Sequence, residues 1–389
     1  MKPVIGCLAA YGVTMVGDRF AEIALPVAVL AATGSPAAAG TVAAGIQVPG
    51  LVAAPFLGGW TDRTSRRTML VLADAIRVVG FAGFAVLAAT HTTGLVPFLV
   101  IGAVVGCGNV LFAIAGQAIL PQLTSGLGRA NAVVEAVDST SLLVTPPIAG
   151  LVVAGLGATW GLAANAISYL VSGTLLRSLL PALRPPPRHD GPRLLVPIDR
   201  LQVALQLALM ALSAHGAAIV LAILVLGRDQ LGLSVVRIGF VLSAAGVGGI
   251  AASLVAARWP VRRPSALAWT LLLACVAAAG LALADGFWWA LVANGVLDGF
   301  VTTGFIVSAT LRQTHTPNAV LGRVGAVSAL ANNLARMLGV AGIGVVLGAY
   351  GGRVGVVVDA ALLGVAGLAV AAISAGRPSA TRSVPPAPR

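Results

Sequence analysis

Three ionisable side chains lie in the middle of a long apolar segment near the N-terminus. The segment runs from about Val4 to Ala32 and contains Asp18, Arg19 and Glu22. In a helix, Asp18 and Glu22 share one face, and Arg19 can pair with Glu22 at i, i+3. Burial and a nearby arginine act in opposite senses on the protonation of a carboxyl group. Asp18 and Glu22 are therefore suited to bind and release protons or other cations.

The cost of burying these charges indicates where their helix face points. Insertion scales assign about 2.5–3.5 kcal/mol to an Asp or Arg at the centre of a bilayer, so three unpartnered groups would cost about 8–10 kcal/mol. We expect the face to line an aqueous cavity, with Asp18 and Glu22 as the primary proton or cation sites and Arg19 beside them. A purely structural ion pair within this helix is the alternative.

The composition places these residues in a membrane. The chain has 389 residues, of which 58% are hydrophobic and 9% are charged, and its mean hydropathy is +0.98. Soluble domains carry about 25% charged residues, and apolar runs of about 18 residues or more predict transmembrane helices. We predict an all-α, multi-pass integral membrane protein whose partners include the lipid bilayer.

The sequence also argues against several function classes. The net charge of +12 comes from arginines in short gaps between apolar runs, so no nucleic-acid partner is expected. Cys7, Cys107 and Cys275 have no metal or disulfide spacing. The chain has no H-E-x-x-H, G-x-S-x-G, Walker A or G-x-G-x-x-G motif. We therefore predict no enzyme activity, no cofactor and no metal.

Apolar segments divide the chain into twelve predicted transmembrane helices. Basic residues concentrate in alternate gaps, which marks those gaps as cytoplasmic. Both termini and the central linker fall on that side. The predicted spans are residues 4–32, 37–60, 68–90, 94–123, 130–156, 158–181, 201–227, 233–257, 264–285, 287–311, 321–350 and 354–375.

The two halves of the chain repeat one another. Gly128-Arg129 maps onto Gly322-Arg323 at an offset of 194 residues, and Arg66-Arg67 maps onto Arg262-Arg263 at an offset of 196. Two parallel repeats around a central site are typical of alternating-access transporters. The expected units are a six-helix bundle over 1–181, a cytoplasmic linker over 182–200, a second six-helix bundle over 201–375 and a disordered cytoplasmic tail over 376–389.

The loop after the second predicted span carries the most specific motif. GGWTDRTSRR, residues 58–67, resembles the signature G-x-x-x-D-R-x-x-R-R of the major facilitator superfamily. The resemblance implies two pseudo-symmetric six-helix bundles and a gating latch held by Asp62 and Arg66. A basic cytoplasmic loop with an incidental Asp62 is the alternative. The matching residues are Gly58, Gly59, Asp62, Arg63, Arg66 and Arg67.

Other segments are similar to the drug/proton antiporter branch of that superfamily, which includes macrolide and siderophore exporters. They are GDRFAEIALPVAVL in span 1, DAIR in span 3 and LPQL…RANAVVE entering span 5. TPPIAG, residues 145–150, resembles the antiporter signature G-P-x-x-x-G, with Thr145 in place of the first glycine. Pro146 and Pro147 are expected to kink span 5 beside the interface between the halves, and Gly150 is the last residue of the motif. Helix packing alone is the alternative.

Further charged residues extend the predicted cavity site. Glu135 and Asp138, at i, i+3 in span 5, either extend the acidic pathway or answer Arg129 near a helix N-terminus. Asp298 in span 10 and Arg336 in span 11 are expected to meet across the second half.

Four more ionisable residues are expected to have structural roles. Asp74 and Arg77, also at i, i+3, can form an ion pair within span 3. His215 in span 7 is expected to hydrogen-bond locally, with a proton relay as the alternative. Asp359 is expected to be structural, near the outer end of span 12.

These features predict a secondary active transporter. Frequent Arg, Ala, Gly and Val suggest a high-GC bacterial source, so we expect the bacterial inner membrane. The expected activity is proton-coupled efflux of small amphipathic molecules such as drugs, secondary metabolites or siderophores, with a role in multidrug or antibiotic resistance. The partners are then a small-molecule substrate and protons, and we expect a monomer. A facilitator or importer of the same fold is the alternative, followed by a non-transporting ligand sensor.

Overall fold

The protein is helical in all the regular structure that the computed structural model describes. The described residues are 2–61, 64–123, 127–181, 199–258, 264–315 and 318–375. A π-helical turn (Leu226–Gln230) continues α7. The helices are α1 (Lys2–Thr33), α2 (Pro36–Thr61), α3 (Arg66–Ala89), α4 (Val96–Leu123), α5 (Leu127–Leu156), α6 (Ala158–Leu179), α7 (Arg200–Val225), α8 (Val235–Arg258), α9 (Pro264–Ala282), α10 (Phe287–His315) and α11 (Asn318–Ala375).

Glycines with positive φ make the turns at one end of the bundle. Gly351 has φ 79° and ψ −179°, so α11 consists of two helical parts, 318–350 and 352–375. The described ranges therefore contain twelve helical segments, in agreement with the twelve predicted spans. Gly34 and Gly157 also have positive φ, which glycine adopts without a steric penalty. Each of these turns follows an odd-numbered segment, so all lie at one end, which we call the glycine-turn end.

The outside of the bundle is apolar and carries aromatic side chains near the glycine-turn end. Trp160 lies in the first turn of α6, Trp288 and Trp289 begin α10, and Tyr350 directly precedes Gly351; all four aromatic side chains are exposed. Trp and Tyr are enriched where a membrane meets water. Within the described ranges, seven helical stretches have the length and apolar composition to cross a bilayer, and the last runs through Gly351. The chain is a multi-pass membrane protein.

The helices pack as two groups around a central space. In the first group α1 packs on α5 and α6, while α3 packs on α4 and α6. In the second group α7 and α9 pack on α11, and α10 packs on α8 and α9. The groups meet along two lines, α2 against α11 and α5 against α8. Residues 182–198, which hold most of the predicted linker, and the predicted tail lie outside the described residues.

The contact between α2 and α11 depends on glycine near the glycine-turn end. A Cβ atom added at Gly40 would lie 2.5 Å from the Val340 carbonyl oxygen and 2.9 Å from the Gly344 Cα. One turn nearer the end, a Cβ atom at Gly348 would lie 3.6 Å from the Ala37 Cβ. The two helix backbones can approach this closely only because the contact residues are small.

A disulfide tests the contact between α2 and α11. The Cβ separation at Ala37 and Gly348 suits a disulfide, whose Cβ atoms are about 3.5–4.5 Å apart. We expect Ala37→Cys with Gly348→Cys to cross-link under mild oxidation in a protein whose three native cysteines are replaced by serine. A protease site inserted within residues 182–198 allows the readout, because the cleaved halves then migrate together until a reductant is added.

The matched control for this cross-link is Ala37→Cys with Gly280→Cys. Gly280 lies in α9 and has no atom within 4 Å of its would-be Cβ, so this pair should give separate halves after cleavage. Equal cross-linking of both pairs, or none at Gly348, would contradict the described packing.

Candidate functional site

A cavity of about 340 Å³ lies between the two groups of helices, and we call it the first lobe. Its charged residues are Asp18 and Glu22 from α1 and Arg336 from α11, and its amides are Gln47 and Asn109. The rest of its wall is mainly apolar. These side chains are Ala21, Leu25, Pro26, Ala39, Ala43, Ile46, Phe81, Val105, Ala217, Val220, Leu221 and Val340.

A second cavity of about 200 Å³, the second lobe, lies on the other side of α1 and α7. Its walls come from α1, α5, α7, α8 and α10 and include Arg19, Glu22, His215 and Asp298. Glu22 and two residues of α7 line both lobes. The lobes therefore adjoin, and we call the two together the central chamber.

Arg19, which lines the second lobe, connects the first helix to α5. Its guanidinium donates from Nη1 to Glu22 Oε1 at 2.7 Å and from Nη2 to Asp138 Oδ1 at 2.9 Å. The i, i+3 pairing of Arg19 and Glu22 thus has the expected geometry, and Asp138 adds a partner that spacing does not reveal. One cation is shared by two carboxylates, so this cluster carries a net negative charge when both acids are ionised.

Asp18 is held by a hydrogen bond from a different helix. The Tyr169 hydroxyl of α6 donates to the Asp18 carboxylate. No cation lies within 4.0 Å of Asp18 in the described part of the chain. The Tyr169 ring in turn stacks on the Arg77 guanidinium, whose Cζ lies 4.1 Å from the ring centroid. Arg77 forms a buried ion pair with Asp74, one turn earlier in α3. Asp18 is therefore an acid on the chamber wall whose position is fixed by a neutral donor.

The second half differs from the sequence prediction in two places. Asp298 and Arg336 form no ion pair in the described structure, because Asp298 lines the second lobe and Arg336 the first. Asp298 instead accepts from Thr302 at 3.2 Å on its own helix. His215 does not bond locally: its Nδ1 lies 2.6 Å from Asp359 Oδ2, and the two residues are 144 positions apart.

The proline motif of α5 lies at the α5–α8 interface. Gly239 of α8 packs on Pro146 and Pro147, where an added Cβ would lie 3.1 Å from the Pro147 Cα. At Gly150 an added Cβ would lie 2.8 Å from the Val235 carbonyl oxygen. Gly150 and Gly239 thus allow the two backbones to approach. A role of this motif in coupling stays a prediction.

The loop motif is only partly described. Gly58 and Gly59 belong to α2, whereas Asp62 and Arg63 lie outside the described residues. The gating latch expected of Asp62 and Arg66 therefore stays a prediction. Arg66 and Arg67 begin α3, and Arg67 Nη1 donates to the Leu180 carbonyl at 3.2 Å.

The remaining predicted acid of α5 is also only partly described. Glu135 belongs to α5, but its side chain and that of Arg129 lie outside the described part. Whether Glu135 extends the acidic pathway or answers Arg129 therefore stays an open prediction.

The chamber contains functional candidates that sequence reasoning did not identify. Tyr169, Gln47 and Asn109 face it, but each is an uncharged polar residue in a mainly apolar segment, and only the rotation of its helix brings it to the wall. Among the described residues, no group of three His, Cys, Asp or Glu side chains is placed to hold a metal ion. The chemistry available at the acids on the chamber wall is proton exchange and ion pairing.

Two groups of helices around a chamber, with a few acids on a mainly apolar wall, are the arrangement of a membrane transporter. Residues 7–339 match the family model described as Major Facilitator Superfamily, and the chain belongs to this family. The match confirms the predicted family and the fold class of two six-helix bundles.

Relatives and solved structures agree with this family. The chain is 26% identical to the enterobactin exporter EntS of Escherichia coli O139:H28 (strain E24377A / ETEC). The alignment spans 320 residues and covers 78% of this chain and 74% of that protein. A bacterial homologue of the iron transporter ferroportin in the inward-facing state matches with a TM-score of 0.78 at 18% identity, covering 96% and 99% of the two chains. The nucleoside transporter NupG matches with a TM-score of 0.75 at 11% identity, covering 96% and 99%.

Removing the shared cation should destabilise the α1–α5 contact. In Arg19→Gln, Glu22 and Asp138 lose their charged donor and repel each other. We expect a loss of roughly 1.5–3 kcal/mol in stability, the range for a hydrogen bond to a charged group, and a lower melting temperature in detergent. Adding Glu22→Gln and Asp138→Asn to this variant should recover most of the loss. A melting temperature unchanged by Arg19→Gln would show that the cluster does not hold the two helices.

Proposed function

We propose that this protein exports small amphipathic organic molecules in exchange for protons, by alternating access. The observation that carries the proposal is the position of Asp18: an acid on the wall of the central chamber, with a tyrosine as hydrogen-bond donor and no cation within 4.0 Å in the described structure. Such a carboxyl can take up a proton from chamber water without first breaking an ion pair. Glu22, which faces both lobes, is the second acid of the proposed site.

Alternating access requires that the chamber open to one side at a time. The α2–α11 and α5–α8 contacts bring the two helix groups together toward the glycine-turn end. The arginine-rich gaps lie at the opposite end, which the positive-inside rule assigns to the cytoplasm. With this orientation both termini are cytoplasmic and the described conformation is closed toward the outside. A proton bound at Asp18 would then be released inward.

The composition of the chamber walls favours a substrate that is mainly apolar. Aliphatic and small side chains dominate both lobes, and the fixed polar groups are few. Pockets of this kind bind by area and shape, with polar groups that orient the ligand. Export rather than import is supported by the distant likeness to the enterobactin exporter EntS. The unlike substrates named for the ferroportin homologue and NupG fit the rule that this fold does not determine the substrate.

Growth assays provide the first test of direction and substrate range. Cells that express the protein should tolerate at least one class of amphipathic toxic compound better than cells with an empty vector. Lower cellular accumulation of that compound should accompany the tolerance. Higher accumulation in the expressing cells would favour the alternative, an importer or facilitator of the same fold.

Asp18→Asn tests proton coupling at the proposed site. The amide keeps the size of the side chain but cannot exchange a proton, so we expect proton-driven uptake into inverted vesicles to fall to the level of vesicles without the protein. Asp229→Asn is the matched control, because Asp229 is an exposed acid in the π-helical turn outside the chamber, with a side chain that is 56% accessible. Full activity of Asp18→Asn under an imposed pH gradient would exclude Asp18 as the coupling site.

A further inference from the structure

In each half, a polar contact joins the first helix to the last. In the first half, Tyr169 of α6 donates to Asp18 of α1. In the second half, His215 of α7 contacts Asp359 of the final helical part, 352–375, with Nδ1 and Oδ2 2.6 Å apart. The two contacts differ in chemistry, because the second pairs an imidazole with a carboxyl, and both groups can change protonation.

The His215–Asp359 contact is more deeply buried than a solvated ion pair. The two side chains are 3% and 1% exposed. Asp359 Oδ1 is buried and has no hydrogen-bond partner in the described structure. An ionised carboxylate with one oxygen unsatisfied is costly in an apolar interior. A proton shared between the imidazole and the carboxyl reduces that cost, so the surroundings favour a pair that binds and releases a proton as one unit.

His215 also lies on the wall of the central chamber. Its side chain lines the second lobe together with Asp298 of α10 and Arg19 and Glu22 of α1. Because Nδ1 is taken by Asp359, Nε2 is the ring atom available for exchange with the lobe. A proton from chamber water can add to Nε2 while the Nδ1 proton is held by Asp359, and the reverse step releases it.

The other helices around α7 bring no charged side chain from their middles. The charges of α8 are near its ends, Arg237 and Arg258, and the sequences of α2 and α9 contain none. In the first part of α11, Arg336 lies on the wall of the first lobe. The charged groups that face His215 are therefore Asp359, Asp298, Arg19 and Glu22.

The internal repeat of the chain gives a second, independent argument that His215 is a protonatable group of the chamber. The offsets of 194 and 196 between the halves map residues 19–21 of α1 onto His215 of α7. His215 thus occupies the repeat position of the charged segment around Asp18 and Glu22. Both halves place a protonatable group at the same depth of their first helix and hold it from their last helix.

We propose that His215 and Asp359 form a second proton-binding site, in the half opposite Asp18. The inference extends the proposed proton coupling: with a site in each half, a transport cycle moves more than one proton. The pair binds a proton from the second lobe, and the first lobe with Asp18 remains a separate site.

Counting protons tests this site without any transported compound. The purified full-length protein is titrated from about pH 8 to about pH 5, the interval in which histidine changes charge, and the protons bound per molecule are measured. The double variant His215→Gln with Asp359→Asn should bind about one proton fewer than the wild type. His91→Gln calibrates the assay, because His91 is an exposed histidine in the turn after α3.

The outcomes separate the second site from the proposed function. A double variant that binds as many protons as the wild type overturns the His215–Asp359 site, whatever Asp18 does. A loss in the double variant together with unchanged proton binding in Asp18→Asn would leave the second site intact and count against the Asp18 site.

A spectroscopic measurement covers the case in which the double variant does not fold. His91→Gln, His189→Gln and His315→Gln leave His215 as the remaining histidine. With 15N-labelled imidazole, its ring signals should change from the neutral to the charged form over the same pH interval. A ring that keeps one charge state throughout identifies the pair as a fixed structural contact and overturns the proposal.

Discussion

The fold around the chamber depends on one constraint: an arginine in the middle of a membrane helix must keep its charge compensated. Arg19 meets this constraint with two carboxylates, one a turn away on α1 and one on α5. The bond from Nη2 to Asp138 of α5 constrains the rotation of α1, and the rotation determines which residues face the chamber. Asp18 and Glu22 are on the wall for this reason, and the apolar face of α1 is free to pack against α5 and α6.

The two halves place their few polar groups in the same way. In each half the first helix presents its polar groups to the chamber and is anchored by the last helix, through Tyr169 in one and Asp359 in the other. Glycines let the backbones of the two halves approach closely at α2–α11 and at α5–α8. The chamber between them accordingly combines a few fixed polar groups with a broad apolar wall.

The sequence predicts contacts between residues that are close in the chain, and it misses contacts between residues that are distant in it. Helix periodicity fixes contacts within one turn, so the Arg19–Glu22 pair and the shared face of Asp18 and Glu22 could be predicted. The partners 119 and 144 residues away, Asp138 and Asp359, depend on helix rotation and tilt, which span length does not determine. The predicted Asp298–Arg336 meeting was wrong for the same reason, since the two residues line different lobes. The breaks between the predicted spans contain Gly34, Gly157 and Gly351, whose positive φ glycine adopts without a steric penalty.

The central claim is that the acids of α1 border water between two helix bundles, and thiol labelling tests it most directly. Ala43 lines the first lobe, whereas Val79 of α3 is exposed on the apolar outside. In a protein without its native cysteines, a charged, membrane-impermeant thiol reagent should label Ala43→Cys rapidly in membranes open to it on both sides. Val79→Cys should stay unlabelled, shielded by lipid. Equal rates at the two positions, or a faster rate at Val79, would contradict a water-filled chamber beside Asp18 and Glu22.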